Sequence, residues 1–279
     1  MGVAAMHPAF PRRPLLLAGL SLPAIAHAQG IEPAETPRRA ARWHDLRQAI
    51  LGDRPVAPAG AALDLTAPAR AQDAALVPIA IALSAEIAPQ VTTLTLVVDE
   101  NPLPLAAVFR AGQPGALRAL TARIRVDAYT LLHAVAETAD GRLLEAARFV
   151  KAAGGCSAPI GGDLEAARQR MGRMRLALPE GPPGPGRAVP VQVAISHPNT
   201  SGLQMDPLTR LSIPAEYIRE IRVTYAGAEV IGVAPDISIA ENPTFGFTLA
   251  GEPGGELRVE AADNRDRRFA GTWTLGTTG

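Results

Sequence analysis

Short runs with apolar residues at alternate positions recur along most of this chain, and a period of two marks strands that bury one face. Residues Val77–Leu83 (VPIAIAL), Val91–Val98 (VTTLTLVV), 105–110, 119–127, 131–137 and Leu143–Val150 form a first set. Ala139-Asp140-Gly141 separates its last two members, and because Asp-Gly tolerates positive φ at both turn positions a hairpin is expected there. A second set covers 189–196, 217–225, 229–233, Thr244–Leu249, 256–261 and 269–275, with turns at Ala226-Gly227 and at Asp263-Asn264-Arg265-Asp266. Helical spacing is confined to 40–51, where Trp43, Leu46 and Ile50 lie three and four residues apart. Many short strands punctuated by turns about every 8 to 12 residues predict an all-β chain built as β-sandwiches. No self-similarity relates the two sets, so they read as two different sandwiches.

Between them the composition changes. Residues 154–186 hold Gly154-Gly155, Gly161-Gly162 and the run Gly181-Pro182-Pro183-Gly184-Pro185-Gly186, and neither residue type favours a packed central strand. Inside this linker, 163–176 (DLEAARQRMGRMRL) has an acidic start and a basic end, predicting a short helix with Asp163 near its N-cap. The first 28 residues read as a signal peptide: Arg12-Arg13, then an apolar run from Leu15 to Ile25, then Ala26-His27-Ala28 with cleavage before Gln29. The domain reading is therefore a signal peptide at 1–28, a sandwich at 29–153, a linker with a short helix at 154–186 and a second sandwich at 187–279. The apolar run of the leader is too short to span a bilayer and no later run is long enough. An exported protein with no membrane association after signal cleavage is expected, in the periplasm, by the Sec or the twin-arginine route.

Removing the leader leaves 25 basic against 27 acidic residues, a formal net charge of −2. With 4% aromatic residues, the chain lacks the basic footprint and the stacking surface of a nucleic-acid binder. The remaining histidines, His44, His133 and His197, have no zinc spacing with other ligands. No glycine-rich phosphate cradle precedes a helix, so no metal and no cofactor is expected. Asp99-Glu100-Asn101-Pro102 and Asp263-Asn264 are acidic enough to suggest calcium loops but are more simply turns. Arg168, Arg170, Arg173 and Arg175 spread around the expected linker helix, which suits a half-solvated packed helix better than a docking face.

The chemistry concentrates on one residue. Cys156, the single cysteine, lies in Lys151-Ala152-Ala153-Gly154-Gly155-Cys156-Ser157-Ala158-Pro159, so it has no internal disulfide partner. A reactive thiol, an intermolecular bridge and a small buried hydrophobe remain open. Gly154 and Gly155 supply hinges that favour the first, with Arg148 and Lys151 near enough in sequence to lower the thiol pKa and His133 as a remote candidate base. From Val150 the chain reaches about 20 Å at ~3.3 Å per residue, so an exposed, fast-reacting thiol is the expectation.

The order of a sandwich ending in Gly154-Gly155-Cys156, then His197-Pro198, Asp206, Ile213-Pro214, Tyr217-Ile218, the Gly227 turn and Ser238-x-x-x-Asn242-Pro243-x-Phe245, resembles a fusion of SoxY with SoxZ, the carrier subunits of thiosulfate oxidation. The second half carries the more specific match, and the whole resembles the fused SoxYZ-like carriers associated with quinoprotein dehydrogenases. The resemblance implies two immunoglobulin-like sandwiches packed on each other within the chain, and a covalent carrier rather than an enzyme. It implies Cys156 as the carrier thiol on a glycine arm, and periplasmic redox enzymes, a quinoprotein dehydrogenase and c-type cytochromes among them, as partners. Two other classes of function remain, a noncatalytic scaffold for a periplasmic dehydrogenase and, with the least support because no base, metal or cofactor motif accompanies the cysteine, a thiol enzyme. In SoxY the thiol motif is Gly-Gly-Cys-Gly-Gly at the chain end; here Ser157-Ala158-Pro159 and a whole domain follow. That predicts a thiol at the tip of a loop rather than on a free end, and argues for a different cargo or a narrower set of partners.

Overall fold

The computed structural model describes residues 1–2 and 36–276; the expected cleavage site after Ala28, and all but the first two residues of the expected leader, lie outside them. The first half contains helix α1 (Pro37–Leu51) and strands β1 (Val56–Pro58), β2 (Leu63–Thr66), β3 (Val77–Leu83), β4 (Val91–Val98), β5 (Leu105–Ala111), β6 (Ala119–Ile124), β7 (Thr130–Thr138) and β8 (Leu143–Val150). Helix α2 (Leu164–Gln169) and strand β9 (Met174–Ala177) occupy the linker. The second half adds β10 (Val189–Ile195), β11 (Ile218–Tyr225), β12 (Ala228–Pro235), β13 (Thr244–Leu249), β14 (Glu256–Asp263) and β15 (Arg268–Thr274). Among the described residues, no helix is long and apolar enough to cross a membrane.

The alternation read from the sequence appears as burial. β3 buries Val77, Ile79, Ile81 and Leu83, β6 buries Leu120, Ala122 and Ile124, and β10 buries Val189, Val191, Val193 and Ile195, so each strand turns its apolar face to one core. The hairpin between β7 and β8 turns through Gly141 at φ 84° and pairs Glu137 with Leu143.

The two sandwiches do not stand apart. Both sheets run across the halves: a nine-stranded sheet ordered β1-β8-β7-β4-β5-β12-β11-β14-β15 faces a six-stranded sheet ordered β2-β3-β6-β13-β10-β9. β5 and β12 pair antiparallel, with Phe109 opposite Val233 and Ala107 opposite Pro235. In the other sheet β13 meets β6 at Gly246 and Thr121. One apolar cluster, including Leu94, Phe109, Ile124, Val193, Phe247 and Val259, therefore spans both halves. The immunoglobulin-like sandwiches share a core and leave no exposed edge between them. Gly246 is required at the crossing, because a Cβ there would overlap the Thr121 hydroxyl.

The linker corrects one expectation. Asp163 caps α2, its Oδ1 accepting from the Glu165 amide at 2.8 Å, but the helix ends near Gln169 instead of continuing to residue 176. Gly172 takes φ +80°, a conformation that stops a helix. Met174 to Ala177 then pair with β10, and Met174 and Leu176 pack against the core while Arg173 and Arg175 face out. An alternation of period two hides inside a segment of good helix formers, and tertiary pairing decides in its favour.

Helix α1 begins earlier than its apolar spacing suggests, with Thr36 capping through its hydroxyl to the Arg39 amide. It lies against β7 and β8, with Trp43 over His133 and Arg39 over the Phe149 ring. The His133 ring stacks on Trp43 with centroids 3.7 Å apart. Its Nδ1 lies 2.6 Å from Glu145 and its Nε2 3.1 Å from Asp99, while the Trp43 indole N–H donates to the other Glu145 oxygen at 3.2 Å. Burial pushes the imidazole pKa down, but the hydrogen bonds and charges of Asp99 and Glu145 outweigh it and raise the pKa above 6.5.

Two outcomes follow. Gly246→Ala should destabilise the protein by about 1–3 kcal/mol in urea unfolding, and at least half of that cost should vanish in a Thr121→Ala background, where the clashing oxygen is gone. A histidine whose folded pKa is raised stabilises fully below its unfolded value and loses that contribution as pH rises through the folded pKa. The melting temperature should therefore fall as pH is taken from 6.5 upwards, with loss of Trp43 stacking seen by fluorescence in a Trp273→Phe background, and His133→Phe should flatten that dependence.

Candidate functional site

Cys156 follows β8 by six residues, and the chain between them is tied down throughout. Lys151 exchanges main-chain bonds with Ala69 and Ala71. The Gly154 amide donates to the Asp127 carbonyl at 2.7 Å and the Gly155 amide to that of Val126 at 3.0 Å. The Cys156 amide donates to Asp127 Oδ1 at 3.2 Å. Gly154 has φ +76°, which favours glycine. Gly155 answers to a different demand: a Cβ there would overlap the carbonyl oxygen of Ala74 and crowd that of Val126. In this conformation the second glycine lets two main chains touch.

The other wall comes from the second half. Ser201 Oγ donates to the Cys156 carbonyl at 2.5 Å, and Gln204 Nε2 donates to the Ala158 carbonyl at 3.0 Å while its Oε1 accepts from the Ser201 amide. Further along, the Gly161 amide donates to Glu241. Arg125, at the end of β6, bridges the walls, with Nη1 donating to the Gly155 carbonyl and Nη2 to that of Asn199, both at 3.3 Å. Asn199 is held by its own side chain, which donates to Ile239 and accepts from the Ile218 amide.

Cys156 is 0% exposed, which corrects the expectation of a protruding loop tip. The reason is that residues 154–161 find hydrogen-bond partners on both halves, so the loop closes down between them. Burial, and secondarily the Asp127 carboxylate, push the thiol pKa up to about 12, while Arg125 pulls it down. Neither Arg148 nor Lys151 contributes to that shift. A thiol titrating that far above neutrality is essentially all protonated at pH 7 and a poor nucleophile while the loop is closed.

The remaining candidates fall elsewhere. His133 is engaged with Asp99, Glu145 and Trp43, not with the cysteine loop. His197 is buried, accepting from the Asn199 amide on Nδ1 with Nε2 3.5 Å from Asp263. Burial lowers its pKa against the opposing pull of Asp263, so it is a neutral strut beneath Asn199. Asp263 and Asn264 form a turn: Asp263 accepts from the Arg265 and Arg267 amides, and Asn264 bonds the backbone of Tyr217 and Ala215. Of the arginine series, Arg168 reaches the buried Glu216 at 3.2 Å, beside Arg265 and Arg267, which anchors α2 to the second half. Among the described residues, no group of three histidine, cysteine or acidic side chains could hold a metal ion.

The fold and site define the class as a two-domain all-β protein whose fused immunoglobulin-like sandwiches close on a single buried thiol. A family model for the sulfur oxidation protein SoxY matches residues 47–156, ending on Cys156, and one for the sulphur oxidation protein SoxZ matches residues 180–274. The chain thus belongs with the SoxY and SoxZ families as a fused SoxYZ-like protein, and these domains carry the role of a sulfur-oxidation carrier. Among solved structures it is similar to the sulfur carrier protein SoxY from Chlorobium limicola f thiosulfatophilum, with 27% identity, 41% of this chain and 94% of the other covered, and a TM-score of 0.36. A β-glycosidase from Bacteroides vulgatus matches at 9% identity over 82% of this chain and 26% of that one, with a TM-score of 0.23. The assignment rests on the two family models. No curated protein matches the chain.

The clasp makes a kinetic prediction. Iodoacetamide should modify Cys156 far more slowly in the native protein than in urea. Ser201→Ala and Gln204→Ala, each removing a latch bond worth ~1 kcal/mol net, should each accelerate native labelling about fivefold.

Proposed function

We propose that this protein is a periplasmic carrier that holds a sulfur-containing intermediate, or another thiol-reactive group, covalently on Cys156 and presents it to partner redox enzymes, in association with a quinoprotein dehydrogenase and c-type cytochromes. The observation that carries the proposal is positional: the SoxY match ends on the one cysteine of the chain. Presentation requires the loop of residues 154–161 to rise, with Gly154 and Gly155 as the hinge. Opening exchanges bonds to Asp127, Arg125, Ser201, Gln204 and Glu241 for bonds to water and lets the thiol pKa relax toward its ordinary range. The loop that holds the thiol down also exposes Leu203, Met205, Leu208 and Leu211, which supports a partner meeting the protein beside the latch.

A second reading has its own observation. Complete burial of Cys156 suits a noncatalytic scaffold whose cysteine only fills space. Intact mass of protein purified from its native host separates the two. The carrier predicts adducts on Cys156 that reductant removes, and loss of function in Cys156→Ser with partner binding kept. Unmodified mass in every preparation, together with full function of Cys156→Ser in vivo, would leave the scaffold.

A further inference from the structure

Arg125 is a buried cation with no anion in contact, Glu241 and Asp73 acting on it only from beyond ion-pair distance. Its side chain is 1% exposed, and Nη1 and Nη2 bond only the carbonyls of Gly155 and Asn199. Its Nε is buried without a partner. Among the described residues, no carboxylate lies within ion-pair distance of it, although Arg54, Arg142, Arg219 and Arg267 all have one. Removing a guanidinium from water without an anion in contact is unfavourable, and neutral donors would have served the two carbonyls equally well. Glu241, Cys156 and Asp73 all act on it electrostatically, and of these only the cysteine's own segment bonds it: the carbonyl that accepts from Nη1 belongs to the residue before Cys156. An unpaired Nε–H beside an Nη–H is the planar fork that receives two oxygens of an oxyanion.

We propose that Arg125 is the specificity-determining residue of the carrier, its free Nε–H edge receiving negative charge on the group attached to Cys156 Sγ, so that anionic cargo is retained under the loop and cationic or neutral cargo is not. This rests on the carrier reading and concerns which cargo is held.

Adducts that differ only in charge test it. Methanethiosulfonates bearing 2-sulfonatoethyl, propyl and 2-(trimethylammonio)ethyl groups are loaded onto the full-length protein. The thiolate attacks the sulfenyl sulfur, the new Sγ–S bond forms as the reagent's S–S bond breaks, methanesulfinate leaves, and the thiol proton goes to solvent. Each adduct is then reduced with dithiothreitol, its rate divided by that of the same adduct in urea. The sulfonate adduct should be reduced about tenfold or more slowly relative to the trimethylammonium adduct, the scale set by one charge-assisted hydrogen bond. Arg125→Gln should bring the two within about twofold, and Arg125→Lys should fall between. Equal normalised rates for all three adducts in the wild type overturn the proposal even if the variants fail to fold, and so does discrimination that survives in folded Arg125→Gln. Native adducts without charge discrimination would keep the carrier and remove this role from Arg125; discrimination with fully functional Cys156→Ser would do the reverse.

Discussion

The main-chain ladder between β5 and β12 is the contact on which the rest depends. It converts two sandwiches into one by joining their large sheets, and it aligns what lies beyond the strand ends. Past β12, Asp236 donates to Ala106, Ser238 accepts from Arg125, and Ile239 bridges Ile124. Asn101 reaches across to Arg125 and Ser238 with its amide and steadies Asp127 with its oxygen. Asn199 is fixed to Ile239 in turn. Each wall of the cysteine cleft thus hangs from the same inter-half seam, and the two walls are held at a distance set by strand pairing rather than by side chains alone.

That seam explains how a tethered thiol can be stored. A free chain end has many conformations to lose on docking, whereas a loop fixed at both ends loses fewer, and closure entropy changes only slowly with loop length. A small set of side-chain hydrogen bonds, Ser201 and Gln204 from one half and Asp127 and Arg125 from the other, is enough to hold it. Fusion makes the halves permanent neighbours at a high effective concentration, so the cleft exists whenever the protein is folded. The departure from a terminal Gly-Gly-Cys-Gly-Gly motif therefore shows itself as a latch on both sides of the cysteine.

Much of the scaffold was legible along the chain because strand faces are a local property. The alternation in Val77–Leu83, Val91–Val98 and Thr244–Leu249 gave strands with those bounds, and Asp140-Gly141 marked its hairpin. The segment at 163–176 misled, since its helix formers obscured the inward Met174 and Leu176, and only the presence of β10 alongside makes them a strand. The cysteine was visible and its surroundings were not. Arg125, Asp127, Ser201 and Gln204 lie roughly 30 to 50 residues from it in sequence, and no spacing rule links residues that meet only through a seam between sheets. Arg125 stands in the polar phase of the alternating run 119–127, so nothing in the pattern separates it from the exposed Arg123 two residues before.

Because Ser201 and Gln204 close on the backbone of residues 156 and 158, ordering of the 199–204 segment and seating of the thiol share one free energy. Such coupling is reciprocal. What grips residues 199–204 from outside therefore acts on the seating of Cys156 by the same free energy. The outer surface of the second half is tied in this way to a thiol buried beneath it.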